Sequence, residues 1–406
     1  MRLVKMSLLA ATLITSSVFA IDNVKVDGDT KLFYSTADGQ EIDLFNKNGA
    51  TGEAALRLGV TADLTEGISA GATLYAVSTL GLYNNLVGAT WTGGLNDNFW
   101  FGEAWLAGTY GKTTGKIGRM TLDTPMVFTE TWSIVPNTFE AAVLINEDIP
   151  NTTLVGAYVG QSNDGVMGGG ITDNAISGDA QNNLYSSFYQ GAYTVGVVNN
   201  SWEPLTVQAW YYQAQHLLSA YWVQGDLNIV GLDFGLQATG TTETAALSDE
   251  SNSAFAGKIG YEMKDTFTVS GAFSQTGDKA TTTSVGANLG GSGQSKLYTE
   301  AWWNYGYITR NDTSAFNVSA TTPEQLTWAQ LGVYFTQSTS KDAFTGAQGK
   351  EDLTMTEVTV EAAKSFGALD VGLYYIMTKA DDLNQDKPVK KGDAFNTVQA
   401  YLTYNF

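Results

Sequence analysis

The sequence predicts an all-β fold, a transmembrane antiparallel β-barrel of about eighteen strands, with sixteen as the smaller alternative. Three observations predict it. The last ten residues alternate strictly between an apolar and a polar face. The first twenty have the character of a secretory leader. Between them, stretches of about ten alternating residues recur with turn residues separating them.

At the C-terminus one face reads Val398, Ala400, Leu402, Tyr404, Phe406 and the other Thr397, Gln399, Tyr401, Thr403, Asn405. A period of two with one greasy face is expected of a strand with hydrocarbon on one side and water on the other. A terminal Phe406 with Tyr404 two residues earlier resembles the signature by which outer-membrane β-barrels are recognised for assembly. An edge strand of a soluble β-sandwich is the competing reading.

At the N-terminus, Arg2 and Lys5 precede the apolar run Leu8–Ile14, and Val18-Phe19-Ala20 offers small residues before polar sequence begins. The run is far short of the ~20 residues that span a bilayer, so residues 1–20 read as a cleavable signal peptide and 21–406 as one barrel domain. Cleavage removes two bases and no acid, moving the net charge from −20 to −22 (19 basic against 41 acidic residues). Charged residues make up only 15% of the chain against ~25% in soluble domains, and aromatics reach 12%. That balance suits a surface turned to lipid. The acidity excludes nucleic acid as a partner. With no cysteine, disulfides and thiolate metal sites are impossible.

In chain order, strands are predicted near 24–35, 51–62, 68–78, 98–109, 114–119, 140–146, 152–160, 185–199, 204–214, 217–228, 230–240, 253–264, 266–275, 296–305, 326–336, 354–366, 367–378 and 395–406. The clearest hairpins turn at Asp63–Gly67, at Lys264-Asp265 and at Phe366-Gly367. Pro204 heads its span and the other five prolines fall outside, as a ladder of paired N–H groups requires. An even count places both termini on one side. The connections at 36–50, 79–97, 120–139, 161–184, 241–252, 276–295, 337–353 and 379–394 then become the outer loops. The weak points, which leave sixteen strands open, are 276–325, where a connection over 306–325 is too long for an inner turn, and the very tight link at 214–217.

Catalytic machinery finds little support. His216 is the single histidine and lies in a short link, with no Gly-x-Ser-x-Gly elbow in the chain. The runs Gly168–Gly170 and Gly290-Gly291-Ser292-Gly293 lack the Lys-Ser/Thr ending of a phosphate loop. No enzyme and no cofactor are expected. Asp164, Asp173 and Asp179 crowd one outer loop and Asp381, Asp382 and Asp386 another. These oxygens suit calcium or a merely solvated acidic loop, and no spacing matches an EF-hand.

The richest constellation follows the fifth strand: Gly118-Arg119-x-x-x-Asp123-Thr124-Pro125, then Glu130, then Pro136-Asn137-Thr138-Phe139-Glu140. This block resembles the OprD-like porins and the Campylobacter-type major outer membrane porins. The resemblance implies an eighteen-stranded, usually trimeric barrel whose third loop folds into the lumen as an eyelet. By position it brings Asp123, Glu130 and Glu140, with Arg119 at the strand end, to or near that constriction. One departure is clear. After the leader the chain has only Arg57, Arg119 and Arg310, too few for the arginine ladder of carboxylate channels.

Alternation also assigns charges to the lumen: Lys31, Glu53, Arg57, Lys258, Glu262, Glu357 and Glu361 oppose apolar rows. Turning Arg or Lys to lipid at the midplane costs about 2–4 kcal/mol. Lys31 and Arg57 would form a basic wall opposite an acidic third loop. The expected function is passive diffusion of small hydrophilic solutes and ions across the bacterial outer membrane, with cations preferred. A substrate-specific channel of carboxylate or amino-acid type, or a non-conducting structural or adhesive barrel, are the alternatives.

Overall fold

The structure, a computed structural model, describes residues 21–39, 41–92, 97–163, 184–290, 293–346, 349–385 and 391–406. The expected leader 1–20 and the acids Asp164, Asp173, Asp179 and Asp386 lie outside them.

Among the described residues alternation resolves into eighteen antiparallel strands. They are β1 (Asp22–Ala37), β2 (Ala50–Thr65), β3 (Ile68–Ser78), β4 (Asn98–Tyr110), β5 (Thr113–Met120) and β6 (Phe139–Asn146). Next come β7 (Thr152–Ser162), β8 (Ser186–Trp202), β9 (Leu205–Ala214), β10 (Leu218–Ile229), β11 (Leu232–Glu243) and β12 (Ser251–Met263). The circuit ends with β13 (Phe267–Thr276), β14 (Thr313–Thr322), β15 (Gln330–Gly346), β16 (Gly349–Phe366), β17 (Leu369–Ala380) and β18 (Phe395–Asn405). Each strand pairs with its neighbours in sequence, and β1 pairs with both β2 and β18, so the sheet closes with no edge. Closure satisfies every ladder N–H and C=O in hydrocarbon. Among the described residues no helix is long and apolar enough to cross a membrane.

The two faces separate as the alternation requires. On β2, Leu56 and Val60 are exposed on the outer face, while Glu53, Ala55 and Arg57 face inward. The same outward row carries Phe99, Ile117, Leu144, Leu236, Phe255, Ile259, Val318 and Leu373. One end of the barrel has short turns such as Glu66-Gly67, Lys112 beside Gly111, and Val230-Gly231. The other carries the long loops. Closure is completed at Phe406, whose N–H and C=O each exchange a 2.9 Å hydrogen bond with Gly28. The Phe406 ring lies where a side chain on Gly28 would begin, 2.6 Å from that position.

Two spans differ from the sequence reading. Strand fourteen is Thr313–Thr322, not 296–305. Its outward row holds only Phe316, Val318 and Ala320 among many hydroxyls, too weak to stand out, whereas 296–305 is aromatic because it packs inside the lumen. The long connection is therefore 277–312, and the link from β14 to β15 is short. Likewise 337–353 is not an outer loop: β15 and β16 continue through it as a long hairpin paired to Gly346 and Gly349, with a register shift between Ser340 and Phe344.

Candidate functional site

The third loop, 121–138, crosses the bore. Its first half is a small hairpin: the Thr129 N–H donates to the Leu122 carbonyl at 2.7 Å, and Thr124 and Val127 close the turn around Pro125. Met126 and Val127 pack against the wall of Trp210, Tyr212 and Trp222, and the Met126 N–H donates to the Tyr212 hydroxyl at 3.2 Å. Ile134 and Val135 pack on the opposite wall, with Phe33, Tyr75 and Trp100. Each such burial stabilises by roughly 1.5–3 kcal/mol. Apolar anchors on both walls are what hold a loop across a water-filled tube.

Glu130 organises the second half of this loop. One carboxylate oxygen accepts the N–H groups of Trp132 (2.8 Å) and Ser133 (2.9 Å), and its own N–H donates to Asn137 Oδ1 at 2.7 Å. Its side chain is almost fully enclosed. Burial pushes the carboxyl up to about 7, opposed by the two N–H donors and by Lys31.

A second inward loop, 277–312, meets the first. Asn288 bonds the Phe128 backbone, the Leu289 N–H donates to the Met126 carbonyl at 2.7 Å, and Lys296 pairs with Asp123. This seventh loop is fastened to the far wall as well. Glu357 on β16 accepts the N–H groups of Trp303 (3.1 Å) and Asn304 (2.8 Å) and the Asn304 side chain (2.7 Å). The Tyr298 hydroxyl donates to Asp226 at 2.6 Å. Trp302 stacks on Tyr334 and Tyr374, with centroids 4.9 and 5.0 Å away. Those two tyrosines lie flat on the sheet because Gly332 and Gly372 leave space there, with ring atoms 2.8 and 2.9 Å from the absent side chains. Glu300, in the same loop, accepts the Ser295 N–H at 3.0 Å, and burial beside Glu130 raises its carboxyl to about 8.

Three tryptophans mark the meeting point. Trp91 of the second loop, Trp132 of the third and Trp303 of the seventh lie 4.8 to 5.6 Å apart by ring centroid. Trp91 also donates to Ser133 Oγ at 2.7 Å. The second loop is tied to the wall by Glu53, fully buried, which accepts the N–H (2.9 Å) and hydroxyl (2.8 Å) of Thr92.

The residues named from sequence fall into separate settings. Asp123 and Glu130 lie in the crossing loop. Lys31 reaches that loop and donates to the Ser133 carbonyl at 3.3 Å. Arg57 bonds Asp27 and Asp29, each at 2.6 Å, so its charge is matched within its own hairpin. Arg119 and Glu140 stand opposite each other in the ladder, bonded at 2.6 Å, at the stem of the third loop. They occupy the row of Ile117 and Leu144, whose side chains are exposed on the outer face, while Met120 and Phe139 take the inward row. The Arg119 guanidinium also covers the Tyr185 ring at 3.7 Å. Lys258 bridges Asp226 (3.3 Å) and Asp233 (2.8 Å). Glu361 accepts the Tyr334 hydroxyl at 2.7 Å, and Glu262 is exposed at the short-turn end of β12. Tyr404 sits in the closing strand between β1 and β17.

Elsewhere, Asp381 pairs with Lys391 at 3.3 Å, and Asp382 with Arg310 at 3.2 Å. His216 occupies an exposed left-handed turn at φ 64°. Among the described residues no group of three or more metal-binding side chains converges. Sequence reading missed Asn288, Lys296, Glu300 and the Trp302-Trp303 pair. The signal was five aromatic residues, Tyr298, Trp302, Trp303, Tyr305 and Tyr307, in ten positions.

No protein-family model and no curated protein matches this chain. Solved structures do match in fold. OccAB1 of Acinetobacter baumannii aligns with a TM-score of 0.74 at 12% identity, covering 96% of this chain and 98% of that one. OccK8 (OprE) of Pseudomonas aeruginosa aligns at 0.70 and 13% identity, covering 95% and 98%. The outer membrane protein OpdK of the same organism aligns at 0.70 and 12%, covering 95% and 98%. The likeness spans the whole barrel, so the closed eighteen-stranded architecture is shared from end to end.

Proposed function

We propose that this chain is an outer-membrane channel of the OprD-like type, through which small hydrophilic solutes and ions diffuse passively, cations in preference. The observation that carries the reading is a closed barrel whose bore is narrowed by two loops clasped to each other and to opposite walls. A structural plug would need no charged lining where those loops meet. Here Lys31, Asp123, Glu130, Lys296 and Glu300 all gather there. The fold shared with OccAB1, OccK8 and OpdK supports the reading.

Cation preference follows from the charge balance. The whole chain carries −20, and the bases near the bore are largely matched by acids: Arg57 by two, Lys258 by two, Lys296 by Asp123. Unmatched acid raises the local concentration of cations over anions. Residues 1–20 as an export leader and assembly as a homotrimer belong to the same proposal. The likeness to Campylobacter-type porins rests on the Arg119–Glu140 block alone.

Planar-bilayer recording tests it. Stable open steps are expected. Under a salt gradient the reversal potential should have the sign of a modest cation preference that fades at high salt, since the Debye length shrinks from ~8 Å to ~3 Å at 1 M. A correctly folded barrel that gives no steps would overturn the channel reading; chemical cross-linking in detergent checks the trimer.

A further inference from the structure

We propose that Glu130 of the third loop and Glu300 of the seventh loop form a proton-linked pair that sets the ion preference of the constriction, so that proton uptake by the pair lowers the cation preference of the bore. The inference rests on the channel reading above and adds the residues and the condition that control it.

The geometry comes first. The two loops are joined by Asn288 with Phe128, Leu289 with Met126, Lys296 with Asp123, and the rings of Trp132 with Trp303. Glu130 lies two residues before Trp132 and Glu300 three before Trp303, so the clasp brings both acids to one place. Each carboxylate is held by backbone N–H groups rather than by a cation: Trp132 and Ser133 for Glu130, Ser295 for Glu300. The groups facing Glu130 are Lys31 from β1, the Tyr401 phenol from β18 and Glu300 across the clasp. Those facing Glu300 are Glu130 and, from its own loop, Lys296.

Enclosure away from water disfavours the charged form of a carboxyl, and a second carboxylate nearby disfavours it further. Burial acts on both groups and the Glu130 carboxylate adds to it at Glu300, which places them at about 7 and about 8 in place of the ordinary carboxylate range. Interacting groups lose their protons as a unit, so the midpoints belong to the pair. Between mildly acid and mildly alkaline solution, the place where the two loops meet therefore gains about two negative charges beside Lys31 and Lys296. Nothing else among the described loop carboxyls is raised into that range. The direction is fixed: more alkaline solution gives a more cation-preferring pore.

The test is the reversal potential of the purified, bilayer-inserted protein under a potassium chloride gradient, read from pH 5 to pH 9. The variants are Glu130→Gln, Glu300→Gln and the double variant. Glutamine keeps an oxygen for the same N–H donors and removes the titration. Wild type is expected to gain cation preference several-fold across the range, with midpoints near neutrality. An unshifted carboxylate, at about 4.3, would contribute almost no change there. Each single variant should lose about half of the swing, and the double variant all of it, with open conductance retained. If Glu130→Gln fails to assemble, Glu300→Gln alone decides: an unchanged swing overturns the pair. Open steps with selectivity flat in wild type also overturn it. Absence of open steps at every pH instead overturns the channel reading.

Discussion

Asn288 binds the backbone of Phe128 with both ends of its amide: Nδ2 donates to the Phe128 carbonyl at 2.8 Å and Oδ1 accepts the Phe128 N–H at 3.2 Å. A side chain 160 positions later in the sequence thus does for the third loop what a paired strand would do. The same oxygen accepts the Gly290 N–H at 3.0 Å, which shapes the seventh loop around the contact.

Replacing Asn288 with Ala should therefore unlatch the two loops without unfolding the barrel. It leaves a buried N–H and C=O of Phe128 without partners, each costing about 1–3 kcal/mol. The expected trace shows added open-state noise and sub-conductance steps, with the compact unboiled gel band intact. A quiet trace with wild-type step size would show that the clasp has no part in gating.

Charge at the clasp should act with opposite signs on its two sides. Lys296→Gln leaves Asp123 without its cation and should raise cation preference; Asp123→Asn should lower it. Both groups are partly or largely exposed, so each effect should stay within about 1 kcal/mol, roughly fivefold. Arg57→Gln releases Asp27 and Asp29 and should act like Lys296→Gln. Glu140→Gln, at the loop stem beside Arg119, should move the reversal potential less than Asp123→Asn. A larger effect from Glu140 would put the filter at the stem.

Glu357→Gln separates wall from eyelet. Glutamine puts a donor-only NH2 in place of one of the two oxygens that accept from the Trp303 N–H, the Asn304 N–H and Asn304 Nδ2, so the seventh loop should lose part of its hold on β16. Larger or unsteady conductance is expected, with selectivity changing only as a consequence. Glu361→Gln, which meets the donating Tyr334 hydroxyl, should be far milder. If Glu361→Gln abolished selectivity at unchanged step size, the wall would be the filter.

Closure of the barrel should depend on Gly28. A methyl group there would meet the Phe406 ring and the Arg57 carbonyl, each at 2.6 Å. Gly28→Ala, like removal of Phe406, should reduce the heat-modifiable band and surface level. Normal assembly of both variants would show that this contact does not limit insertion.

The barrel itself was legible in the chain. A strand with lipid on one side and water on the other has a period of two in its own residues, so Leu56 with Val60 against Glu53 with Arg57 can be read without knowing any partner. The same local rule found the third loop, because Pro125 and Pro136 break a ladder wherever it runs. It failed at Thr313–Thr322, where small hydroxyl residues blur the outward row, and at 296–305, where aromatic residues imitate a membrane strand.

Sequence by itself determined the fold class, the strand rhythm and the acidity, because each is set by residues close together along the chain; that the third loop enters the bore was implied by the resemblance of its flanking block. Only the tertiary structure decided which charges meet. Glu130 and Glu300 are 170 positions apart, and Arg119 turns to Glu140 at the stem while Lys31 turns to the loop. Lumen contacts depend on how two long loops fold back onto opposite walls. That folding is governed by pairs such as Asn288 with Phe128 and Glu357 with Asn304, and no periodicity in the chain records such pairs.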